Sequence, residues 1–184
     1  ASLPLYRERY MDRLAGLRRI KPAIEQLQAA EAQMAEGKYT VAEGQIRQAL
    51  KTAPEDYAGL IMMTICQIGQ EKAIPAADYA AQARRVYPGE GMGYHLGGVA
   101  EIMRKRFEAA WELFSGHERI LPGNPNTTFM KGYSQEGMQH RDLAAPEYQK
   151  YLQSVTEGEQ AEYAYKRLVE WGYIQTRKEA ADAK

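Results

Sequence analysis

Small and apolar residues recur along the chain with one constant long spacing. The clearest series is Ala42, Ala76, Ala110 and Ala144. Apolar residues also return after three or four positions within one unit, as Ile46 and Ala49 do after Ala42. This shorter spacing places apolar side chains on one side of an α-helix. The two periods together predict helices that belong to a unit repeated along the chain.

Prolines mark the ends of these units. Pro54, Pro88 and Pro122 follow one another at the same spacing as the alanines. Proline has no amide hydrogen and restricts the conformation of the residue before it, so it ends a helix. We therefore expect the second helix of each unit to end just before its proline. The fourth unit departs from the pattern, because Thr156 stands where the proline is expected.

Each unit has small residues where two helices would cross. With the proline at position 32, the units cover 23–56, 57–90, 91–124 and 125–158. Position 8 holds Ala30, Thr64, Gly98 and Gly132, and position 24 holds Ile46, Ala80, Phe114 and Tyr148. Small residues at positions 8 and 20 let the two helices approach closely, and the residue at position 24 fills the space beside them.

These residues resemble the tetratricopeptide repeat (TPR) family, whose unit is about 34 residues long, as the spacing of the alanines and prolines is here. The resemblance covers 23–158. It implies an all-α fold in which four antiparallel helix hairpins stack into a right-handed superhelical solenoid. The chain departs from the family at position 4, where Trp is frequent, and at position 11, where Tyr is frequent; the residues at position 11 are Gln33, Gln67, Glu101 and Gln135.

The two ends of the chain differ from the repeats, as the ends of solenoids do. Residues 1–22 are predicted as a basic amphipathic helix, which Pro22 separates from the first repeat. Its apolar side is formed by Tyr6, Tyr10, Leu14 and Leu17. Residues 159–174 are predicted as a capping helix followed by a polar tail to 184. The capping side chains are Tyr163, Leu168, Trp171 and Tyr173.

Composition narrows the class of protein. The 24 basic and 24 acidic residues balance, which argues against a protein built to hold nucleic acid. No apolar run approaches the roughly 20 residues that span a bilayer, so no transmembrane segment is expected. The sequence begins at Ala1 without an initiator Met or a signal peptide. We expect a processed chain or a part of a longer protein.

Candidate catalytic groups do not form a recognisable motif. The histidines, which have no metal-ligand spacing, are His95, His117 and His140. His117 lies on the predicted packing side of a second helix, and Cys66 lies in an apolar stretch, so both are expected in the core. Three glycines at alternate positions are interpreted as turn residues, not as a phosphate-binding loop; they are Gly89, Gly91 and Gly93. We predict no catalytic residue, no metal and no cofactor.

A weaker resemblance concerns both ends of the chain. Arg7 to Leu17 and the closing segment Tyr165 to Tyr173 look like parts of the C-terminal TPR domain of bacterial periplasmic zinc metallopeptidases. This resemblance implies that a protease domain with the zinc-binding helix lies upstream and outside the chain. It also implies a periplasmic location; without it, a cytoplasmic location is expected.

In TPR arrays, positions 2, 5, 9, 12 and 13 of the first helices line the concave groove. In this chain the corresponding residues are mainly apolar and include no Lys or Arg, so we predict that the groove is not a carboxylate clamp. The predicted groove residues are Leu27, Ile61, Ile65, Ile68, Met92, His95, Val99, Ile102, Met103, Phe129 and Tyr133.

Three functions are open at this point. The first is a non-catalytic module that binds a protein or peptide with an apolar face in the groove. The second is a regulatory or substrate-guiding domain of a bacterial zinc metallopeptidase, and the third is a self-association element. The groove is either free for a foreign partner or occluded by the 6–17 helix, an upstream domain or a second subunit. We expect Ile65→Glu and Phe129→Glu to abolish binding while helical content is kept.

Overall fold

The structure is a computed structural model that describes residues 21–174. Over this range it contains nine helices and no strand. The helices are α1 (21–35), α2 (Tyr39–Thr52), α3 (Tyr57–Gly69), α4 (Ala73–Val86), α5 (Met92–Met103), α6 (Phe107–Ile120), α7 (Pro125–Gly137), α8 (Arg141–Leu152) and α9 (Glu159–Glu170). The predicted helix over 1–20 and the polar tail 175–184 lie outside the described residues.

Consecutive helices pair into hairpins, and the hairpins belong to two compact units that divide after Pro88. The first unit contains α1 to α4, and α3 packs against both α2 and α4. The second unit contains α5 to α9, in which each helix packs against the next. The all-α fold of helix hairpins predicted from the sequence is therefore confirmed.

The turn inside each hairpin repeats with the same period as the sequence. It is formed by Gly37, Glu71, Lys105 and Gln139, and each of these residues has a positive φ between 58° and 72°. In the second hairpin, the Glu71 amide donates to Ile68 O (2.9 Å) and the Lys72 amide donates to Gln67 O (2.8 Å). These two bonds satisfy carbonyls at the end of the first helix and require a left-handed residue. Three of the four turns therefore hold a non-glycine residue in a strained conformation.

The second helices end as the prolines predict. Helices α2, α4 and α6 each end two positions before their proline. The residue between, as at Ala53 (φ −135°, ψ 79°) and Tyr87 (φ −140°, ψ 82°), has left the helical region. Helix α8 lacks this signal, and the residue after it, Gln153, keeps helical angles (φ −68°, ψ −25°).

Pro22 lies in α1, to which residues 21 and 22 both belong. The ring of proline fixes φ at about −65°, a helical value, so proline is compatible with the first turn of a helix. The helix boundary expected at Pro22 stays a prediction, because the residues before 21 lie outside the described range.

The two helices of a hairpin meet at positions 8 and 24 of the repeat. A Cβ atom placed on Gly98 would lie 2.6 Å from the ring of Phe114. A Cβ atom on Gly132 would lie 2.9 Å from the ring of Tyr148. Glycine at position 8 is therefore required where an aromatic ring occupies position 24. The corresponding residues of the first two hairpins are also fully buried; they are Ala30, Ile46, Thr64 and Ala80.

A second contact between glycine and an aromatic ring joins consecutive hairpins within each unit. In the first unit, a Cβ atom on Gly69 would lie 2.5 Å from the ring of Tyr39. In the second unit, a Cβ atom on Gly137 would likewise clash with the ring of Phe107. Each pair joins the end of a first helix to the start of the preceding second helix, so these hairpins stack closely.

Helix α9 has the features of the first helix of a further repeat. Its residues Ala161, Ala164 and Leu168 are buried against the second unit. The helix closes with the same kind of turn as the others, since Gly172 has a φ of 78° and donates to Val169 O (3.0 Å). Tyr173 is 45% exposed and does not belong to the cap that we predicted.

We expect Lys105→Gly to stabilise the protein by up to about 1 kcal/mol, because glycine has no Cβ to clash in the left-handed conformation. Lys105→Ala keeps the Cβ and is the matched control. The measurement is the urea midpoint of the loss of helical circular dichroism. Equal midpoints for the Gly and Ala variants would show that the turn is not strained.

We expect Gly98→Ala to destabilise the protein by about 1–3 kcal/mol, because the added methyl group displaces the ring of Phe114. Gly44→Ala is the matched control, since a Cβ at this position of α2 meets no atom within 4 Å; it should stabilise the helix by about 0.5–1 kcal/mol. A smaller side chain opposite, in Gly98→Ala/Phe114→Leu, should recover part of the loss. Urea unfolding measures all three variants, and the close crossing is contradicted if Gly98→Ala behaves like Gly44→Ala.

Candidate functional site

The predicted groove residues divide into three groups by exposure. Met92 is 44% exposed, whereas Ile61 and Phe129 are buried, at 9% and 6% exposure. The remaining residues are half-buried; they are Leu27, Ile65, Ile68, His95, Val99, Ile102, Met103 and Tyr133. The first helices therefore present apolar side chains that the described residues cover only in part.

In the first unit, this face is formed by α1 and α3. Ile65 and Ile68 lie one turn apart on α3 and are both half-buried. A cleft of about 500 Å³ lies beside the start of α1, where Ile24 is 44% exposed. The cleft is closed on one side by the segment between α2 and α3, in which Asp56 caps α3 by accepting from the Gly59 amide (2.6 Å). The first unit thus offers an apolar face with carboxylates at one end.

Polar contacts in the first unit lie at the ends of the helices. Glu43 of α2 accepts from Gln70 Nε2 (2.8 Å) and pairs with Arg47 and with Lys72 (3.4 Å). The hydrogen bond from Gln70 is the main reason that the pKa of the Glu43 carboxyl falls to about 2. This network ties α2 to the turn between α3 and α4, and it holds a carboxylate that the sequence pattern did not single out.

In the second unit, α5 carries the most open part of the face. Its residues Met92, Val99, Ile102 and Met103 are exposed or half-buried and carry no charge. Glu101, at repeat position 11, is 8% exposed and pairs with Arg104 (2.9 Å) and Arg106 (3.6 Å). The two arginines that follow this apolar stripe therefore share one carboxylate of the same unit, and one net positive charge remains at this end of α5.

Helix α7 contributes less of the open face than predicted. Phe129 lies within an aromatic cluster, with ring centroids 5.2 Å from Tyr151, 5.6 Å from Tyr148 and 6.0 Å from Tyr163. Phe129, a predicted groove residue, is therefore almost fully covered within its own unit, because Tyr163 of α9 packs against it. Tyr133 remains half-buried, with its ring centroid 6.3 Å from that of Phe129.

Glu136 connects three helices of the second unit. It accepts hydrogen bonds from the Tyr148 hydroxyl (2.6 Å) and the Tyr163 hydroxyl (3.0 Å), and it pairs with Arg167 Nε (2.7 Å). Burial, together with the Glu136 carboxylate, raises the pKa of Tyr148 above its usual range. The sequence offered no signal for this hub, because its three partners come from α8 and α9.

Lys131 of α7 is turned toward the second helices. Its Nζ atom lies 2.8 Å from Glu118 of α6 and 2.7 Å from Glu147 of α8. Its side chain is only 12% exposed. This lysine therefore stabilises the packing of three helices and does not contribute charge to the open face.

The described residues contain no group of three or more His, Cys, Asp and Glu side chains that could hold a metal ion. Cys66 is fully buried. Burial raises the pKa of its thiol to about 11, so the reactive thiolate is not formed near neutral pH. No helix within 21–174 is long and apolar enough to cross a membrane.

Sequence comparisons identify no relative: neither a protein-family model nor a curated protein matches the chain. Solved structures do match. TTC0263, a thermophilic TPR protein from Thermus thermophilus, has a TM-score of 0.68 at 19% identity, covering 82% of this chain and 83% of its own. A double mutant of MamA RS-1 has a TM-score of 0.76 at 14% identity, covering 88% of this chain and 89% of its own.

A third similar structure is YrrB, a TPR protein with an unusual peptide-binding site. Its TM-score is 0.71 at 17% identity, covering 78% of this chain and 74% of its own. At these identities the likeness concerns the fold. The chain has the fold of tetratricopeptide-repeat structures, as the period of its sequence indicated. The handedness of the superhelix and the resemblance to metallopeptidase tails stay predictions.

We now expect Phe129→Glu to unfold the second unit, because an unpaired carboxylate in the aromatic cluster is very costly. Phe129→Ala should lower the free energy of unfolding by about 3–5 kcal/mol. Met92→Glu, at an exposed position of the same unit, is the control and should keep the helical circular dichroism of the wild type. Retention of full helical content by Phe129→Glu would show that Phe129 is open to solvent.

Proposed function

We propose that this chain is a non-catalytic module that binds a protein or peptide through the apolar face of its first helices. The observation that carries the proposal is the partial exposure of the uncharged side chains on α3 and α5. Ile65 and Ile68 of the first unit are only half-buried, and so are Val99 and Ile102 of the second. Apolar side chains left together at the surface of a unit, as each of these two pairs is, usually mark an interaction site.

The shared fold supports this proposal. YrrB, with the same repeat architecture, is a TPR protein with an unusual peptide-binding site. The first helices of this chain keep half-buried apolar side chains that a partner would cover. The regular spacing of the exposed side chains along each first helix suits a partner that binds as an extended or helical peptide segment.

The chemistry of the face favours an apolar ligand. None of the eleven predicted groove residues is Lys or Arg. Arg104 and Arg106, which follow α5, are paired with Glu101, and Lys131 is paired with two glutamates. A ligand that depends on its C-terminal carboxylate would therefore find no cation among the groove residues themselves. Met92, at the start of α5, adds a flexible and polarizable side chain, which suits recognition of varied apolar sequences.

The test is selection of binding sequences from a phage-displayed library of random peptides on the full chain. We expect the selected peptides to carry apolar residues three or four positions apart. Because the face lacks a carboxylate clamp, peptides with an amidated and a free C-terminus should bind with equal affinity. Isothermal titration calorimetry measures both forms.

Two variants locate the binding face. Met92→Glu should weaken binding of a selected peptide at least tenfold, because the ligand would cover an unpaired carboxylate. Val41→Glu is the matched control; Val41 is 54% exposed and lies on the second helix α2. The proposal fails if Val41→Glu loses affinity while Met92→Glu binds like the wild type, or if amidation abolishes binding.

A further inference from the structure

The half-buried His95 and the buried His117 form a close pair in the second unit. Their ring centroids are 5.4 Å apart, and the ring of His95 also lies 5.7 Å from that of Phe114. His117 is 5% exposed, and its Nδ1 atom shares a hydrogen bond of 2.7 Å with Thr127 Oγ1. The pair and this bond join α5, α6 and α7 at one point.

The opposite edge of the His117 ring, formed by Cδ2 and Nε2, is packed against Gly91, so water has no room to solvate it there. A Cβ atom placed on Gly91 would lie 2.9 Å from Cδ2 and 3.0 Å from Nε2 of His117. Gly91 caps the N-terminus of α5, the end at which the helix dipole disfavours a positive charge. His117 itself lies in the last turn of α6, where the dipole favours a cation. Burial decides the outcome, and it lowers the pKa of His117.

Within the described residues, no acidic side chain forms an ion pair with either ring. Burial, and after it the proximity of His117, lowers the pKa of His95. The carboxylates on the surrounding helices are engaged elsewhere or exposed. On α5, Glu101 pairs with Arg104 and Arg106. On α6, Glu118 pairs with Lys131 and Lys150, while Glu108 and Glu112 are exposed. On α7, Glu136 pairs with Arg167.

We propose that the His95–His117 pair is a pH-sensitive joint, which holds α5 against α6 and α7 near neutral pH and loosens as the solution becomes mildly acidic. Both rings must be neutral for the observed packing, since a proton on one ring places a charge beside the other in a buried site. This proposal does not depend on the proposed function, although His95 lies on the same helix as the open apolar face.

The direction of the pH effect follows from linkage. Both histidines have a folded-state pKa below the ordinary value of 6.5. As the pH falls below 6.5, the unfolded chain binds protons that the folded chain does not, so stability decreases. The loss continues until the pH reaches the folded-state pKa values. Carboxylates such as Glu118, whose pKa lies below 4.5, lose their charge in a lower range and do not interfere.

The experiment measures urea unfolding of the full chain at about pH 7.5 and about pH 5.5. At both pH values, amide hydrogen exchange gives the protection factors of the amides in α5 and α6. At the lower pH the unfolding equilibrium constant should rise by up to about tenfold for each histidine that stays neutral in the fold. In His95→Gln this rise should be at least threefold smaller than in the wild type. His140→Gln, which changes the remaining, exposed histidine, should keep the full rise.

A second measurement covers the case in which His95→Gln does not fold. Proton NMR of the wild type follows the ring signals of His95 and His117 between about pH 8 and about pH 5. Titration below pH 6.5, accompanied by lower protection factors of the α5 amides, supports the joint. The proposal is overturned if both rings titrate at or above 6.5 without loss of protection in α5, or if His140→Gln removes the pH dependence.

Discussion

The close approach of two helices at one point of each hairpin is the constraint on which the rest of this structure depends. Where position 24 holds an aromatic ring, as at Phe114 and Tyr148, position 8 has only a hydrogen atom to present, as at Gly98 and Gly132. The ring then fills the hairpin and excludes water, and burial of such a ring is worth several kcal/mol. This contact recurs along the sequence at the repeat spacing, so each hairpin closes at the same point.

That crossing buries one side of each helix and leaves other apolar side chains partly uncovered. On the first helices α3 and α5 these are half-buried Ile and Val side chains and the exposed Met92. Whether a residue of a first helix is buried or partly exposed depends on the helices packed around it, and not on its repeat position alone. Phe129 and Ile61 occupy predicted face positions, yet both are buried. A helix packed alongside, as α9 is beside α7, converts a face residue into a core residue.

Charged side chains hold the helices in register around this apolar frame. Glu136 and Lys131 are each largely buried and each meets two or more partners on other helices. Such groups lower stability sharply when a partner is removed, because an uncompensated charge then remains in a poorly solvated site. The histidine pair differs from these groups, because burial lowers the pKa of both rings and no acidic side chain of the described residues forms an ion pair with either.

The sequence by itself determined the repeat, because the regular period, the small residues at the crossing and the helix-ending prolines act locally and recur. It placed the hairpins, the ends of α2, α4 and α6, and the absence of Lys and Arg from the predicted groove. It did not reveal which face residues are buried, the Glu136 hub or the contact of His95 with His117. Those features join side chains from different helices, and only the packing of several helices brings them together. Tertiary structure decided them, because burial and partnership depend on neighbours that the local pattern does not specify.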